Sequence, residues 1–443
     1  MSRPLPPDFL LGCATSAYQV EGGIENDWSE WAEAGRLKDP STRCGAAADH
    51  WRRYPDDFQL LKALGADSYR FSIEWARVEP EPGRFDPAAL AGYGARVRAL
   101  RDLGVEPVVT LLHFTHPRWF HQTTPWHAGG GRAAGRFVAF VERVLEALDG
   151  QARMFTVLNE PGVWLAAAYL AGVIPPGEQS LGHLVEAGAE LIRAHAGAAR
   201  LIRQQIPGAQ VGVAHHVLEL APARPWNPVD RAIAAYGARA FNHAVPTALT
   251  TGVWQLGLLP GIRRRVEIPE AAGSLDFLGV NYYTRAFVQP GLLPRPGMEL
   301  FYEDRGGRGV TDLGWELHPH GLTTALEQMA RYHLPMYVTE NGLDDRDDSR
   351  RAAYLFDHLG AVLDAVDAGV DVRGYFHWSL MDNFEWLEGF GPRFGLYSVD
   401  YATQARTPTR AAALFQEIAR GRALPAERPE ERRRPGLGRV KVG

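Results

Sequence analysis

Eight short apolar runs recur along the chain, separated mostly by longer stretches of mixed polarity. They span Phe9 to Ala17, Ser68 to Ile73, Glu106 to Leu112, Met154 to Leu158, Gln210 to Ala214, Asp276 to Val280, Pro335 to Thr339 and Val372 to His377. Runs this short, nearly continuous in apolar character, read as strands buried on both faces. Several intervening stretches place apolar residues at helical spacing: Pro87 to Leu103, Arg136 to Leu148, the Ala-rich Leu184 to Gln204, and Asp348 to Ala368. The first two end near Gly104 and Gly150, as helices tend to. Strands alternating with helices imply a parallel sheet. Eight such units in 443 residues fit a closed barrel better than an open doubly wound sheet. No Gly-rich phosphate fingerprint follows the first strand, which also argues against a dinucleotide-binding fold. The predicted fold is α/β, a single (β/α)8 TIM barrel over residues 1–422. Residues 423–443, rich in Arg, Glu, Pro and Gly, read as a disordered tail.

Composition changes this picture little. The chain is 46% hydrophobic and 22% charged, as ordinary globular proteins are. A net charge of −5 argues against a nucleic-acid surface, which needs clustered Lys and Arg. Cys13 and Cys44 form neither a disulfide framework nor a metal spacing. Residues 1–8 are Pro-rich and polar, with no apolar leader, and no stretch approaches the ~18–20 apolar residues of a membrane span. The expectation is a soluble cytoplasmic protein with neither a nucleic-acid nor a membrane partner.

The chemistry lies at the strand ends. There, or just past them, stand Gln19, Arg70, Glu74, His113, Asn159, Glu160, His215, His216, Asn281, Tyr283, Glu340, Asn341 and Trp378. In a barrel these ends share one mouth, where catalytic residues sit. Glu160 and Glu340 each follow an apolar strand and precede a turn, a layout that sets them apart from solvated surface acids. Two such carboxylates on separate strands suggest the pair of a glycosidase. His113, His116 and His121 are spaced too loosely for a metal cluster, and Pro117 interrupts them, so neither metal nor cofactor is expected.

The motifs resemble glycoside hydrolase family 1, the retaining β-glucosidase-like enzymes, over nearly the whole chain. The segments are Phe9 to Gly22, Tyr69-Arg70-Phe71-Ser72-Ile73-Glu74-Trp75, Asn159-Glu160-Pro161, Asn281-Tyr282-Tyr283, Thr339-Glu340-Asn341-Gly342, and Trp378 to Trp386 continuing to Arg393-Phe394-Gly395-Leu396. The resemblance implies a retaining exo-β-glycosidase acting on terminal β-D-glucosyl residues, and on β-galactosyl and β-fucosyl residues, of small β-glycosides. It implies Glu340 as nucleophile and Glu160 as acid and base, with Arg70 and Tyr283 serving Glu340. Gln19, His113, Asn159, Asn281 and Glu385 are expected to bind the sugar's hydroxyls, and Trp378 and Trp386 to form platform and wall. Glu385 would repel a phosphate, so unphosphorylated sugars are expected. Trp28, Trp31 and Trp51 are expected in the core or rim. Two alternatives remain: a transglycosidase using the same residues, and a non-catalytic sugar-binding protein. The sequence departs from the family at Gly162, where an aromatic is usual, and at Phe114-Thr115-His116 after His113. Both changes bear on the aglycone side.

Overall fold

The computed structural model describes residues 1–259, 262–291, 298–432 and 438–441. Eight parallel strands form the barrel: β1 (Leu10–Ala14), β2 (Ser68–Ser72), β3 (Glu106–Leu112), β4 (Met154–Asn159), β5 (Gln210–His216), β6 (Phe277–Asn281), β7 (Met336–Asn341) and β8 (Val372–Trp378). The ring closes where β8 pairs with β1, through Tyr375↔Leu11 and Trp378↔Ala14. Each strand lies on or within two residues of an apolar run, except that the first run overshoots. Its strand stops at Ala14, and Ala17–Glu21 turns into a short helix. The Ser72 hydroxyl accepts the Ala17 N–H at 2.7 Å, so the chain leaves the ladder without an orphaned donor.

Eight longer helices pack outside: α1 (His50–Leu64), α2 (Pro87–Asp102), α3 (Arg132–Leu148), α4 (Leu181–Gln205), α5 (Pro228–Thr251), α6 (Pro319–Met329), α7 (Arg351–Asp367) and α8 (Arg410–Gly421). α2, α3, α4 and α7 are the four that periodicity predicts. α3 shows why: Phe137, Phe140, Val141, Val144, Leu145 and Leu148 repeat at intervals of three or four residues and are all buried. The other four lie outside the stretches read as helical. Two of them have cap signals, Asn227 followed by Pro228 for α5 and Thr409 for α8.

Barrel registers slip where the site begins. Irregularities fall between Thr156 and Asn159 on β4, between Val280 and Asn281 on β6, and between Val338 and Asn341 on β7. Such offsets re-aim side chains at a barrel rim. Gly342, just past β7, is required by close approach: a Cβ there would lie 1.7 Å from the Trp378 carbonyl oxygen.

Within the stretch read as a disordered tail, some described residues have partners elsewhere in the chain. Ala423 and Leu424 pair with Pro4 and Arg3, and Leu424 is buried. Arg428 forms an ion pair with Asp357 at 2.8 Å, and Val440–Lys441 pair with Tyr302 and Phe301. Composition suggested disorder because few apolar residues lie there. The partners are distant in sequence, and no local pattern announces them. Residues 433–437 and 442–443 lie outside the described part. No helix among the described residues is long and apolar enough to cross a membrane.

Candidate active site

The mouth is organised by Arg70 on β2. Its side chain is fully buried, so each N–H needs a partner. Nε donates to Thr110 Oγ1 at 3.0 Å, and Nη2 to Asn159 Oδ1 at 2.6 Å. Nη1 donates to Glu340 Oε1 at 2.6 Å. Tyr283 donates its hydroxyl to the other oxygen of Glu340 at 2.8 Å. Both oxygens of Glu340 therefore accept from fixed donors, one of them a permanent cation.

Glu160 stands opposite in the same network. Asn281 Nδ2 donates to Glu160 Oε1 at 2.8 Å and reaches Asn159 Oδ1 at 3.2 Å. Asn281 is also the register partner of Glu340, so one amide side chain spans from the strand of one glutamate to the carboxyl of the other. Thr339 fixes that amide by donating to Asn281 Oδ1 at 2.6 Å. Glu160 itself has φ 44°, a left-handed conformation that costs a non-glycine residue about 1–3 kcal/mol. Its N–H donates to Ala214 O at 2.7 Å, which holds the turn in place.

The two carboxyls lie in one buried field. Burial pushes Glu340 up to about 7, with the charge of Glu160 adding to the rise and Arg70 and Tyr283 opposing it. Burial would raise Glu160 as well, but the charge and hydrogen bond of His216, with Asn281 and Arg70, hold it below its ordinary value. Burial, reinforced by Arg70, keeps His113 well below the usual imidazole range and hence neutral.

An aromatic and polar wall completes the mouth. The ring of His113 lies nearly parallel to those of Trp378 and Trp386, with centroids 5.8 and 6.0 Å away. His113 Nε2 lies 3.1 Å from Asn159 Nδ2. Gln19 donates to Asn383 Oδ1 and Phe384 O, both at 2.9 Å, and reaches Glu385 Oε2 at 3.3 Å. Trp386 rests on Trp28 at 4.7 Å and Phe114 at 5.2 Å. Trp28 and Trp31 are buried as expected, and Trp51 is half-buried beneath the guanidinium groups of Arg77 and Arg96.

The strand-end residues thus divide. Gln19, Arg70, His113, Asn159, Glu160, Asn281, Tyr283, Glu340, Trp378, Glu385 and Trp386 belong to one cluster. Glu74 turns away, accepting from Thr115 at 2.9 Å and Asn26 at 3.3 Å. His215 faces Asn242 O, and Asn341 ties Tyr282 O to the Tyr354 hydroxyl. His216 is the residue sequence reasoning left without a role. Its Nδ1 lies 3.2 Å from Glu160 Oε1. Its position at the end of β5 was the available signal, but alternation could not say which of the two adjacent histidines faces inward. The three-histidine reading also dissolves. His113 serves Asn159, while His116 and His121 meet Asp27 at 2.9 and 3.1 Å. His116 Nε2 accepts from Trp126 Nε1 at 2.8 Å, so both its nitrogens are engaged.

A buried carboxylate pair in a barrel mouth lined with indoles and amides is the architecture of a sugar-cleaving site. The family model described as Glycosyl hydrolase family 1 matches residues 1–423. The chain belongs to that family. It is a glycosidase, and its substrate is a sugar. Among family relatives, Beta-glucosidase A of Thermotoga maritima is 30% identical over 95% of this chain and 99% of its own length. A 6-phospho-beta-galactosidase of Staphylococcus haemolyticus is 29% identical over 95% of this chain and all of its own. The solved structure of a beta-glycosidase from Pyrococcus horikoshii superposes with TM-score 0.89 at 36% identity, covering 96% of this chain and 97% of that one.

Proposed function

We propose that the chain is a retaining exo-β-glycosidase, with Glu340 as nucleophile and Glu160 as general acid and then base. The observation that carries this reading is the double donation to Glu340 by Arg70 and Tyr283. Donors on both oxygens suit an ionised carboxylate that attacks and is later released.

The pair must hold one proton near neutral pH. The buried charges alone favour that proton on Glu340. We assign it to Glu160, because Arg70, a permanent cation, sits on Glu340 and can only donate. A proton on Glu340 Oε1 would meet an N–H head-on. Glu160 Oε1 is met instead by the neutral Asn281 amide at 2.8 Å and by His216 at 3.2 Å, and neither is a permanent cation. Protonated Glu160 gives its proton to the leaving oxygen while Glu340 attacks the anomeric carbon. Once Glu340 is glycosylated its charge is gone, and Glu160, now a carboxylate, takes a proton from water. That water cleaves the ester and restores Glu340.

For the sugar, Trp378 and Trp386 offer apolar faces, and Gln19, His113, Asn159 and Glu385 offer polar groups to hydroxyls. We assign a terminal β-D-glucosyl preference, extending to β-galactosyl and β-fucosyl substrates, without a 6-phosphate. Around Glu385 the carboxylates of Glu340 and Glu388, with Asp344, add negative field. A phosphate dianion entering there meets repulsion. Initial rates on 4-nitrophenyl β-glucoside, β-galactoside, β-fucoside, β-mannoside, β-glucuronide and α-glucoside test the class. Turnover of the first three and not of the α-glucoside is expected. Inertness toward all of them would overturn it. A 6-phosphate should lower kcat/KM by more than about tenfold, and equal use of the phosphorylated sugar would overturn the charge argument.

Gly162 informs the aglycone side. A Cβ there would already touch Phe241 O at 3.7 Å and His215 at 3.8 Å, so a larger side chain must turn aside. Trp164 does not replace it at the mouth, because it is buried against His116 and Tyr169.

A further inference from the structure

A second cluster of ligating groups stands outside this pocket, on the same end of the barrel. His127 lies in the connection from β3 to α3, Glu178 in that from β4 to α4, and His183 in the first turn of α4. One ligand atom from each lies within 4.8 Å of the others. His127 Nδ1 is 3.5 Å from Glu178 Oε1, and His183 Nδ1 is hydrogen-bonded to Glu178 Oε2. The two imidazoles are stacked, with centroids 4.0 Å apart and planes 4° from parallel. Two basic rings face to face repel one another if both are charged, so the arrangement favours neutral, ligating imidazole. His127 Nδ1 is buried and makes no hydrogen bond to any described residue. An unsatisfied buried ring nitrogen aimed at a carboxylate calls for a cation or a proton.

We propose that His127, Glu178 and His183 form a binding site for a divalent transition metal of the zinc class. Two imidazoles and one carboxylate suit Zn²⁺ and its neighbours rather than Mg²⁺ or Ca²⁺, which prefer oxygen ligands. Bonds of about 2.0–2.1 Å in a tetrahedral site separate ligand atoms by about 3.3 Å. The 3.5 Å between His127 and Glu178 already meets this. His183, whose side chain is 47% exposed, has room to tilt its ring out of the stack to complete the set.

The ligands are carried by ordered backbone. Glu178 N–H donates to Ala168 O at 2.9 Å, and the Ser180 hydroxyl caps the helix turn that holds His183. The site would clasp the β3–α3 and β4–α4 connections together. His127 packs edge-on against Tyr169 at 5.9 Å, and Tyr169 against Trp164 at 5.4 Å. Trp164 lies in the short helix whose first cap is Glu160.

The test uses the full chain, freed of metal by chelator and titrated with zinc chloride by calorimetry. One equivalent should bind, and bound zinc should raise the unfolding temperature, while magnesium chloride should do neither. His127→Ala and His183→Gln should each weaken zinc binding at least tenfold. His121→Gln, in the Asp27 cluster, should leave it unchanged. Cobalt chloride supplies a second readout, a visible absorption band lost in the same two variants. Absence of zinc binding, or binding unchanged in both variants, overturns the proposal. Loss of binding only in His121→Gln would move the site to Asp27 and overturn it equally.

Discussion

At the scale of single residues, the site is a set of groups whose behaviour depends on partners from other strands. Glu160→Gln should lower kcat on an unactivated disaccharide about 10²–10⁴-fold, the range of general acid catalysis. It should be far milder on an activated aryl glycoside in the first step, where the leaving group needs no proton. Glu340→Gln should abolish turnover on both. Near-normal steady-state rates on the disaccharide in either variant would sink the assignment. The pH profile carries the same logic. Burial and Glu160 push Glu340 up to about 7. A nucleophile must be ionised, so kcat/KM should fall as pH drops through that region. In Glu160→Gln the acid's own proton is gone, so the alkaline limb on an activated substrate should disappear while the acid limb stays. An alkaline limb that persists would show that Glu160 is not the acid.

Glu74 gives a stability counterpart. Burial pushes its carboxyl up to about 7, and its hydrogen-bond donors are the neutral Thr115 and Asn26. A carboxyl with a raised folded pKa contributes stability at low pH and loses it as pH rises through the folded value. A rise from 4.5 to about 7 corresponds to about 3 kcal/mol. Relative to Glu74→Gln, the protein should lose up to this amount between pH 4.5 and pH 8. Parallel denaturant melts of the two proteins across that range measure it, and a pH-independent difference would refute it.

At the scale of elements, each strand and helix can be argued from its own residues, and its ends from its caps. Asp86 caps α2, its Oδ1 accepting from Ala88 N–H at 2.8 Å and Ala89 N–H at 3.3 Å, with Pro87 at the first helical position. Asp86→Ala should cost about 1 kcal/mol in denaturant unfolding and leave kcat unchanged. Phe140 on α3 is the contrasting case. It is fully buried and stacked on Trp75 at 5.3 Å. Phe140→Ala should cost about 3–5 kcal/mol, because a cavity remains where the ring was. A cost below about 1 kcal/mol would mean that the α3–barrel contact re-closes.

At the scale of the whole molecule, the barrel is latched where the chain ends meet. Arg3–Pro4 pair with Ala423–Leu424, and Leu5 N–H donates to Arg422 O at 2.9 Å. Arg422 also reaches Asp67 at 2.9 Å, and Asp67 accepts the Leu11 N–H at the foot of β1 at 2.7 Å. A chain ending after Leu424 keeps this latch and should retain kcat/KM within about twofold. One ending after Gly421 loses Arg422 and the buried Leu424, and should be less stable by about 3 kcal/mol, the burial value of such a side chain plus its cross-strand bonds. Thermal melts of the two truncations distinguish these outcomes.

Local patterning determined the eight strands, four of the helices and the strand-end positions of Glu160 and Glu340, because buried strands and amphipathic helices write their period directly into adjacent residues. Resemblance to family 1 motifs added Glu385 and Trp386 and gave the strand-end residues their roles. Tertiary structure alone decided which neighbour of a pair faces inward, as with His216 rather than His215. It decided that Glu74, four residues after Arg70, turns away from the pair to Thr115 and Asn26. It also decided that Leu424 pairs with Arg3 and that Arg428 meets Asp357. These outcomes rest on contacts between residues tens to hundreds of positions apart, and on register offsets at strand ends. Hydrophobic period is blind to both, since one step of register changes a side chain's face without changing any residue.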